Sequence, residues 1–175
     1  PVWPDNNEPA HTIKKFGVVN RYDLSIEFPM LTLRPINFKA AVDEVLWIWQ
    51  RKSNNVNDLN SKIWDAWADH NGSIGLAYGY QLGRDIAFKE GAMDQVEWLL
   101  YTLENDPYSR RMVASMFNHD DLIFMRLQPC AYSITLNVSG DRLNMILNQR
   151  SQDILVANGW NVCQYAVLLH MFAQV

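Results

Sequence analysis

Two alternating runs separated by a turn sequence constrain the fold of this chain more than any other feature. From Cys130 to Val138, and again from Arg142 to Gln149, side chains alternate with period two, as in strands that cover a core with one face. The residues Ser139-Gly140-Asp141 between them are typical of a turn. The pattern predicts an antiparallel hairpin in which three pairs oppose each other: Val138 and Leu143, Tyr132 and Gln149, Cys130 and Ser151.

The hairpin would bring a thiol close to a guanidinium. Arg150 lies one position from the predicted partner of Cys130. A guanidinium near a thiol favours the thiolate, which is the form that attacks electrophiles. The residues alone leave an alternative open, since a single cysteine on an apolar strand face commonly packs as a small hydrophobe.

Other segments predict a mixture of helices and strands. Phe38 to Gln50 has helical apolar spacing with Asn37 as N-cap, and Asp94 to Leu103 has a second such pattern. Val162 to Val175 is apolar and helical in pattern and ends without a stop signal. The remaining predictions are one or two strands in 13–25, a loop in 72–83 and a short strand in 112–117.

Composition excludes several classes of protein. The chain has 175 residues, 49% of them hydrophobic, which suits one domain with a substantial core. A net charge of −4 gives no basic excess for nucleic acid, and no apolar run approaches a membrane helix. Two cysteines without a secretory leader favour a reducing cytosol and a cytoplasmic protein. No His/Cys cluster has metal-ligand spacing, so no metal is expected.

A series of motifs runs in order along the chain, and together they resemble the thymidylate synthase family. The segments are Phe28-Pro29-Met30-Leu31-Thr32, Glu44-Val45-Leu46-Trp47-Ile48-Trp49, Ile63-Trp64-Asp65-Ala66-Trp67, Gly75-Leu76-Ala77-Tyr78-Gly79-Tyr80-Gln81, Asn105 to Arg111, and Leu127-Gln128-Pro129-Cys130 with Gln149 to Asp153 and Trp160-Asn161. The resemblance implies an α+β fold in which helices pack on a large mixed, twisted β-sheet that also forms a dimer interface. It implies a single domain over 1–175 that is incomplete at both ends.

The resemblance also implies a reaction, the reductive methylation of dUMP to dTMP. The co-substrate would be 5,10-methylenetetrahydrofolate, which supplies the carbon and the hydride and leaves as dihydrofolate. Cys130 would add to C6 of the uracil ring, which activates C5 through a covalent intermediate. The implied catalytic residues are Cys130, Glu44, Tyr78 and Arg150. The implied dUMP ligands are Arg110, Arg111, Arg150, Ser151, Asp153, Asn161 and Gln149, and the implied folate contacts are Ile63, Trp64 and Trp67.

Each implied role has a chemical reason and a plainer alternative. Arg110 and Arg111 would bind phosphate with planar guanidinium groups and reach across a homodimer into the partner's site, or they are solvated charges. Asn161 would match uracil O4 and N3–H with its carboxamide, or it is a helix N-cap before Val162. Trp64 and Trp67 would stack on the folate, or they belong to an aromatic core. Glu44 would organise water and protons near uracil O4. The resemblance gives no catalytic position to a histidine of this chain, so His11, His70, His119 and His170 are interpreted as structural or surface residues.

Some segments depart from the family pattern. The chain has Ala157-Asn158-Gly159-Trp160-Asn161 where the family commonly has Gly-x-Pro-Phe-Asn, Phe117 where Trp is common, and Ala131 where His often follows the nucleophile. By the same resemblance, a phosphate-binding Arg would precede Pro1, and an HxYxNH segment and a folate-binding Asp would follow Val175. Two other functions stay open, a pyrimidine nucleotide hydroxymethylase of the same fold and a non-catalytic truncated homologue.

Overall fold

A computed structural model describes Pro9 and residues 11–175. The helices and strands, numbered in chain order, are α1 (Phe38–Trp49), α2 (Gly79–Leu82), β1 (Ile86–Phe88), β2 (Gly91–Met93), α3 (Gln95–Asn105), β3 (Val113–Ser115), β4 (Ala131–Ser139), β5 (Arg142–Gln149) and α4 (Asn158–Phe172). Short 3-10 helices cover Val56–Asp58, Asp65–Trp67 and His119–Phe124. The α+β class predicted from the sequence is confirmed. No helix of the described residues is long and apolar enough to cross a membrane.

Strands β3, β4 and β5 form an antiparallel sheet in that order, and β1 and β2 form a separate hairpin. All strand pairs among the described residues are antiparallel, so the large mixed sheet that the family resemblance implies is not seen in this part of the chain. One face of β4 and β5 covers the core, since Ile134 and Leu136 are buried while Ile146 on the opposite face is exposed. The period-two pattern therefore identified both strands and the face that each buries.

The predicted hairpin register is correct near the turn and wrong at the open end. Val138 does lie opposite Leu143, with Gly140 and Asp141 as the loop. A β-bulge between Ala131 and Ser133 then shifts the pairing by one residue, so that Gln149 lies opposite Ala131 instead of Tyr132. As a result, Cys130 lies opposite Arg150 instead of Ser151, and the Arg150 N–H donates to the Cys130 carbonyl at 3.0 Å.

Helices α1 and α4 pack against each other, and α1 carries Glu44 while α4 carries Asn161 and Gln164. The Asn37 side chain accepts from the Ala40 N–H, which confirms it as the N-cap of α1. Asp94 begins α3 with a capping box that includes Glu97, and this helix is also confirmed. Tyr165 and Phe172 on α4 contact Trp49 of α1 edge to face, with ring centroids 6.3 and 6.2 Å away.

Two predictions of secondary structure are corrected. Residues 13–25 form no strand; Ile13 and Phe16 there are fully exposed, so their weak alternation does not follow burial. Residues 72–83 are not entirely loop, because Gly79–Leu82 forms one helical turn. The strand predicted in 112–117 is present but shorter, as Val113–Ser115.

Candidate active site

The thiol of Cys130 is free and half-buried, directly before β4. The Arg150 side chain folds back across the hairpin, where Nε donates to the Pro129 carbonyl at 2.9 Å and Nη2 to the Gln128 carbonyl at 2.7 Å. These two contacts hold Nη2 at 3.8 Å from the Cys130 sulfur. A fixed positive charge at this distance stabilises negative charge on the sulfur. The predicted proximity of thiol and guanidinium is thus present, and the bulge makes Cys130 and Arg150 direct partners.

Tyr78 lies on the other side of the same cysteine. Its hydroxyl oxygen accepts from the Cys130 backbone N–H at 3.1 Å, which leaves its own O–H free to donate elsewhere. Burial, together with nearby Cys130 and Glu44, raises the pKa of Tyr78 well above its ordinary value, so the phenol keeps its proton at neutral pH. Tyr78 and Cys130, both implied catalytic residues, are thus in direct contact.

The backbone at Tyr78 is strained. Its φ is +42°, a value that L-residues with a bulky side chain rarely adopt and that costs about 1–3 kcal/mol. The next residue must be glycine, because a Cβ on Gly79 would collide with the Ser53 carbonyl and the Lys52 backbone. This strained backbone belongs to the residue whose hydroxyl accepts from the Cys130 N–H.

Glu44 is a buried carboxyl group with a hydrogen bond to each oxygen. On α1 it is 6% exposed, and its oxygens accept from the indole N–H of Trp64 at 2.9 Å and of Trp160 at 2.5 Å. Burial raises the pKa of Glu44, while the hydrogen bonds from Trp64, Trp160 and Gln164 act in the opposite direction. A raised pKa moves this carboxyl group towards the working pH, the direction that suits a general acid or base.

Side-chain amides connect β5 to α4. Gln149 donates to Asn161 Oδ1 at 3.2 Å and to Gln152 Oε1 at 2.7 Å. Asn161 in turn donates to Gln164 Oε1 at 3.0 Å, and Gln164 donates to the Ala41 carbonyl on α1 at 3.3 Å. Asn161 is not the N-cap, because α4 begins three residues earlier and the Asn161 N–H already bonds to the Ala157 carbonyl. That alternative for Asn161 is wrong.

The remaining predicted residues lie at different distances from Cys130. Ser151 follows Arg150 and is exposed, and Asp153 holds the backbone before α4 by accepting from the Leu155 and Val156 N–H groups at 2.9 and 2.8 Å. Arg110 and Arg111 are exposed just before β3. Extending the β3–β4 register places Arg111 beside Asn137, seven residues from Cys130 and about 23 Å along the strand. The structure does not bring this pair to the thiol of its own chain.

The predicted folate contacts divide into buried and exposed residues. Trp64 is 7% exposed and lies in the core among the rings of Trp47, Trp67 and Tyr78. Trp67 and Ile63 are 41% and 42% exposed. The aromatic-core alternative therefore describes where Trp64 lies, while Trp67 and Ile63 offer accessible surface.

Two residues of the site were missed from the sequence. Trp160 and Gln164 both contact the Glu44–Asn161 region, and neither was assigned a role. A signal for Trp160 existed, since it occupies a position where the family commonly has Phe and therefore adds an N–H donor.

Cys163, unlike Cys130, is buried beside Pro29 and Met30, where burial raises the pKa of its thiol. All four histidines are exposed, which agrees with their interpretation as structural or surface residues.

The chain is similar to known proteins in both sequence and structure. A sequence profile described as thymidylate synthase matches residues 2–175. Thymidylate synthase of Bacillus subtilis subsp. natto is 44% identical over 99% of this chain, and that of Bacillus phage phi3T is 43% identical over the same share. The solved structure of thermostable thymidylate synthase A from Bacillus subtilis superposes with a TM-score of 0.80 at 44% identity, covering 84% of this chain and 55% of that one.

The chain belongs to the thymidylate synthase family. It spans 63% of the length of the curated relatives that it matches.

Proposed function

We propose that the protein containing this chain is a methyltransferase, a thymidylate synthase that converts dUMP to dTMP. The observation that carries the proposal is the position of the Arg150 guanidinium 3.8 Å from the Cys130 sulfur, beside the Tyr78 hydroxyl, in a chain of this family. The thiolate adds to C6 of the uracil ring, and the electron pair of the C5–C6 double bond moves into an enolate. C5 of this enolate then attacks the one-carbon unit of 5,10-methylenetetrahydrofolate.

The protein's own residues have separate tasks in this reaction. Arg150 stabilises the thiolate before addition and, with Ser151, lies where the nucleotide phosphate would bind. Glu44 exchanges a proton near uracil O4 while the enolate forms and collapses, which its raised pKa suits. Asn161, held by Gln149, binds the O4 and N3–H edge of the base. Asp153 holds the backbone just before α4, the helix that carries Asn161.

The folate would lie along the exposed side of the aromatic cluster. Trp67 and Ile63 are accessible for stacking on a pterin ring or an aryl group, and Trp64 supports them from beneath. The folate donates both carbon and hydride. After C5 bonds to the one-carbon unit, the C5 proton is lost and the bond from that carbon to the folate nitrogen breaks. Hydride transfer from the folate and release of Cys130 from C6 then give dTMP and dihydrofolate. No step requires a metal.

The active unit would be a homodimer. Arg110 and Arg111 lie about 23 Å along the sheet from Cys130 of their own chain, so they can serve a phosphate site only on a partner molecule. The partner's pair would complete this chain's site by two-fold symmetry.

The complete protein would be cytoplasmic, since Cys130 must stay a free thiol. It would contain these residues as one domain with further segments.

The relatives described above are all thymidylate synthases, which favours this activity over a hydroxymethylase. The decisive experiment uses 5-fluoro-dUMP with methylenetetrahydrofolate and the full-length protein. Fluorine takes the place of the C5 hydrogen and cannot be removed by a base as that proton is. The covalent ternary complex therefore accumulates on Cys130. Intact-protein mass spectrometry should detect it, and Cys130→Ser should abolish it while Cys163→Ser should not. A wild-type protein without added mass would support the non-catalytic alternative.

A further inference from the structure

Gln164 is a buried residue to which the proposed reaction assigns no role. It is 3% exposed on α4, and its side-chain amide joins Asn161 to the Ala41 carbonyl on α1. It also lies close enough to Glu44 to lower the pKa of that carboxyl group. A buried residue beside both the amide proposed to recognise the base and the carboxyl group proposed to transfer a proton can influence both.

The side-chain amides of Gln164, Asn161 and Gln149 form a chain of hydrogen bonds that begins at the Ala41 carbonyl, and this carbonyl sets the direction of each bond. The Ala41 carbonyl can only accept, so the group of Gln164 that faces it must be the NH₂. Gln164 Oε1 then points to Asn161, which must present its own NH₂ to that oxygen. Asn161 Oδ1 is consequently directed at Gln149, which donates to it. One backbone carbonyl thus fixes the orientation of the Asn161 carboxamide.

The orientation decides which base edge Asn161 can bind. Its NH₂ has a second hydrogen and its oxygen a second lone pair, which remain for a ligand. In the fixed orientation these present a donor and an acceptor in one order, which can match O4 and N3–H of uracil. The cytosine edge has a donor at C4 and an acceptor at N3, the opposite order. An Asn161 free to rotate by 180° could present either order.

We propose that Gln164 is a specificity-determining positioning residue, which locks the Asn161 carboxamide in the orientation that selects uracil over cytosine. The inference rests on the proposed function, because it assigns a nucleotide base to Asn161. Gln164 would act through Asn161, without touching the substrate.

The test compares Gln164→Met, which removes both hydrogen bonds, with Gln164→Glu, which keeps an acceptor for Asn161. Binding of dUMP and of dCMP is measured by calorimetry on the full-length protein, together with kcat/KM for dUMP. Gln164→Met should reduce the preference for dUMP over dCMP by about tenfold, the order expected for one lost hydrogen bond. Gln164→Glu should recover most of that preference. Should Gln164→Met not fold, Gln164→Ala, which leaves space for water, tests the same contact.

Leu168→Ala is the matched control, since Leu168 is buried on the same helix and is not part of the chain of amides. It should lower the melting temperature and leave the preference unchanged. If wild-type protein prefers dUMP and Gln164→Met or Gln164→Ala prefers it equally, the inference is wrong and the proposed function stands. If wild-type protein binds both nucleotides equally, both are wrong.

Discussion

Replacing Trp160 by phenylalanine would remove one of the hydrogen-bond donors of Glu44 and keep an aromatic ring on α4. The indole N–H lies 2.5 Å from one carboxylate oxygen, and the Trp64 indole serves the other at 2.9 Å. A hydrogen bond to a charged group contributes about 1.5–3 kcal/mol, and one to a neutral group about 0.5–1.5 kcal/mol. The loss should therefore be larger when Glu44 is ionised than when it is protonated.

The sign of the pH dependence follows from the position of the Glu44 pKa. Burial raises it above the ordinary value of 4.5, so the folded state holds this proton more tightly than the unfolded state. The stability that Glu44 contributes is complete below about pH 4.5 and is lost as the pH rises through the folded pKa. Trp160→Phe raises that pKa further, because the removed donor had favoured the ionised form. The stability of the variant should decline more steeply with pH than that of wild type.

Urea unfolding between pH 4.5 and pH 9 measures this effect as a shift in midpoint at constant slope. We expect Trp160→Phe to lose about 1 kcal/mol more at the alkaline end than at the acidic end, the difference between the charged and neutral hydrogen bonds. Trp98→Phe is the control, since Trp98 stacks on Phe88 at 4.3 Å, far from Glu44 in sequence and on another helix. A Trp160→Phe loss that is equal at every pH would mean that Trp160 contributes only packing.

Two further predictions concern the base and the shared sites. Asn161→Asp should weaken the preference for dUMP over dCMP by about 1–3 kcal/mol in the full-length protein, as measured by relative turnover; an unchanged ratio would exclude Asn161 from base recognition. Arg110→Ala and Cys130→Ala should each lose most activity, yet a mixture that exchanges subunits should recover up to about a quarter of it, because half the dimers are mixed and each has one intact site. Activity that does not rise after demonstrated exchange would contradict donation of Arg110 to the partner.

The hairpin shows how far the sequence can predict this site. Period-two alternation and turn chemistry located β4, β5 and their loop, because a strand that covers a core must alternate. The bulge near Ala131 was not predicted, because one extra residue at the end of a strand leaves the alternation elsewhere unchanged. The sequence thus indicated that Cys130 and Arg150 would be close, but the structure was needed to show them as direct partners.

Helix α4 shows a different limit. Its apolar residues predicted a helix, but Asn161 resembles an N-cap in sequence as much as it resembles a residue of the first turn. Gln164 and Trp160 belong to no local pattern, since their contacts are made with α1, more than a hundred residues away. In residues 13–25 the alternation was misleading, because alternating side chains form a strand only where a partner strand supplies hydrogen bonds.

The packing of α1 against α4 joins stability to function in this chain. An apolar residue of similar size at Glu44 would avoid burying a carboxyl group, which is costly even when it is hydrogen-bonded. The chain instead keeps Glu44 and surrounds it with Trp64, Trp160 and Gln164, of which the two indoles donate directly to its oxygens. Because Gln164 also accepts a hydrogen bond from Asn161, the interface that stabilises the core orients the groups proposed to bind the base and move its proton. The proposed reaction gives a reason for a polar network at a place where hydrophobic packing alone would suffice for folding.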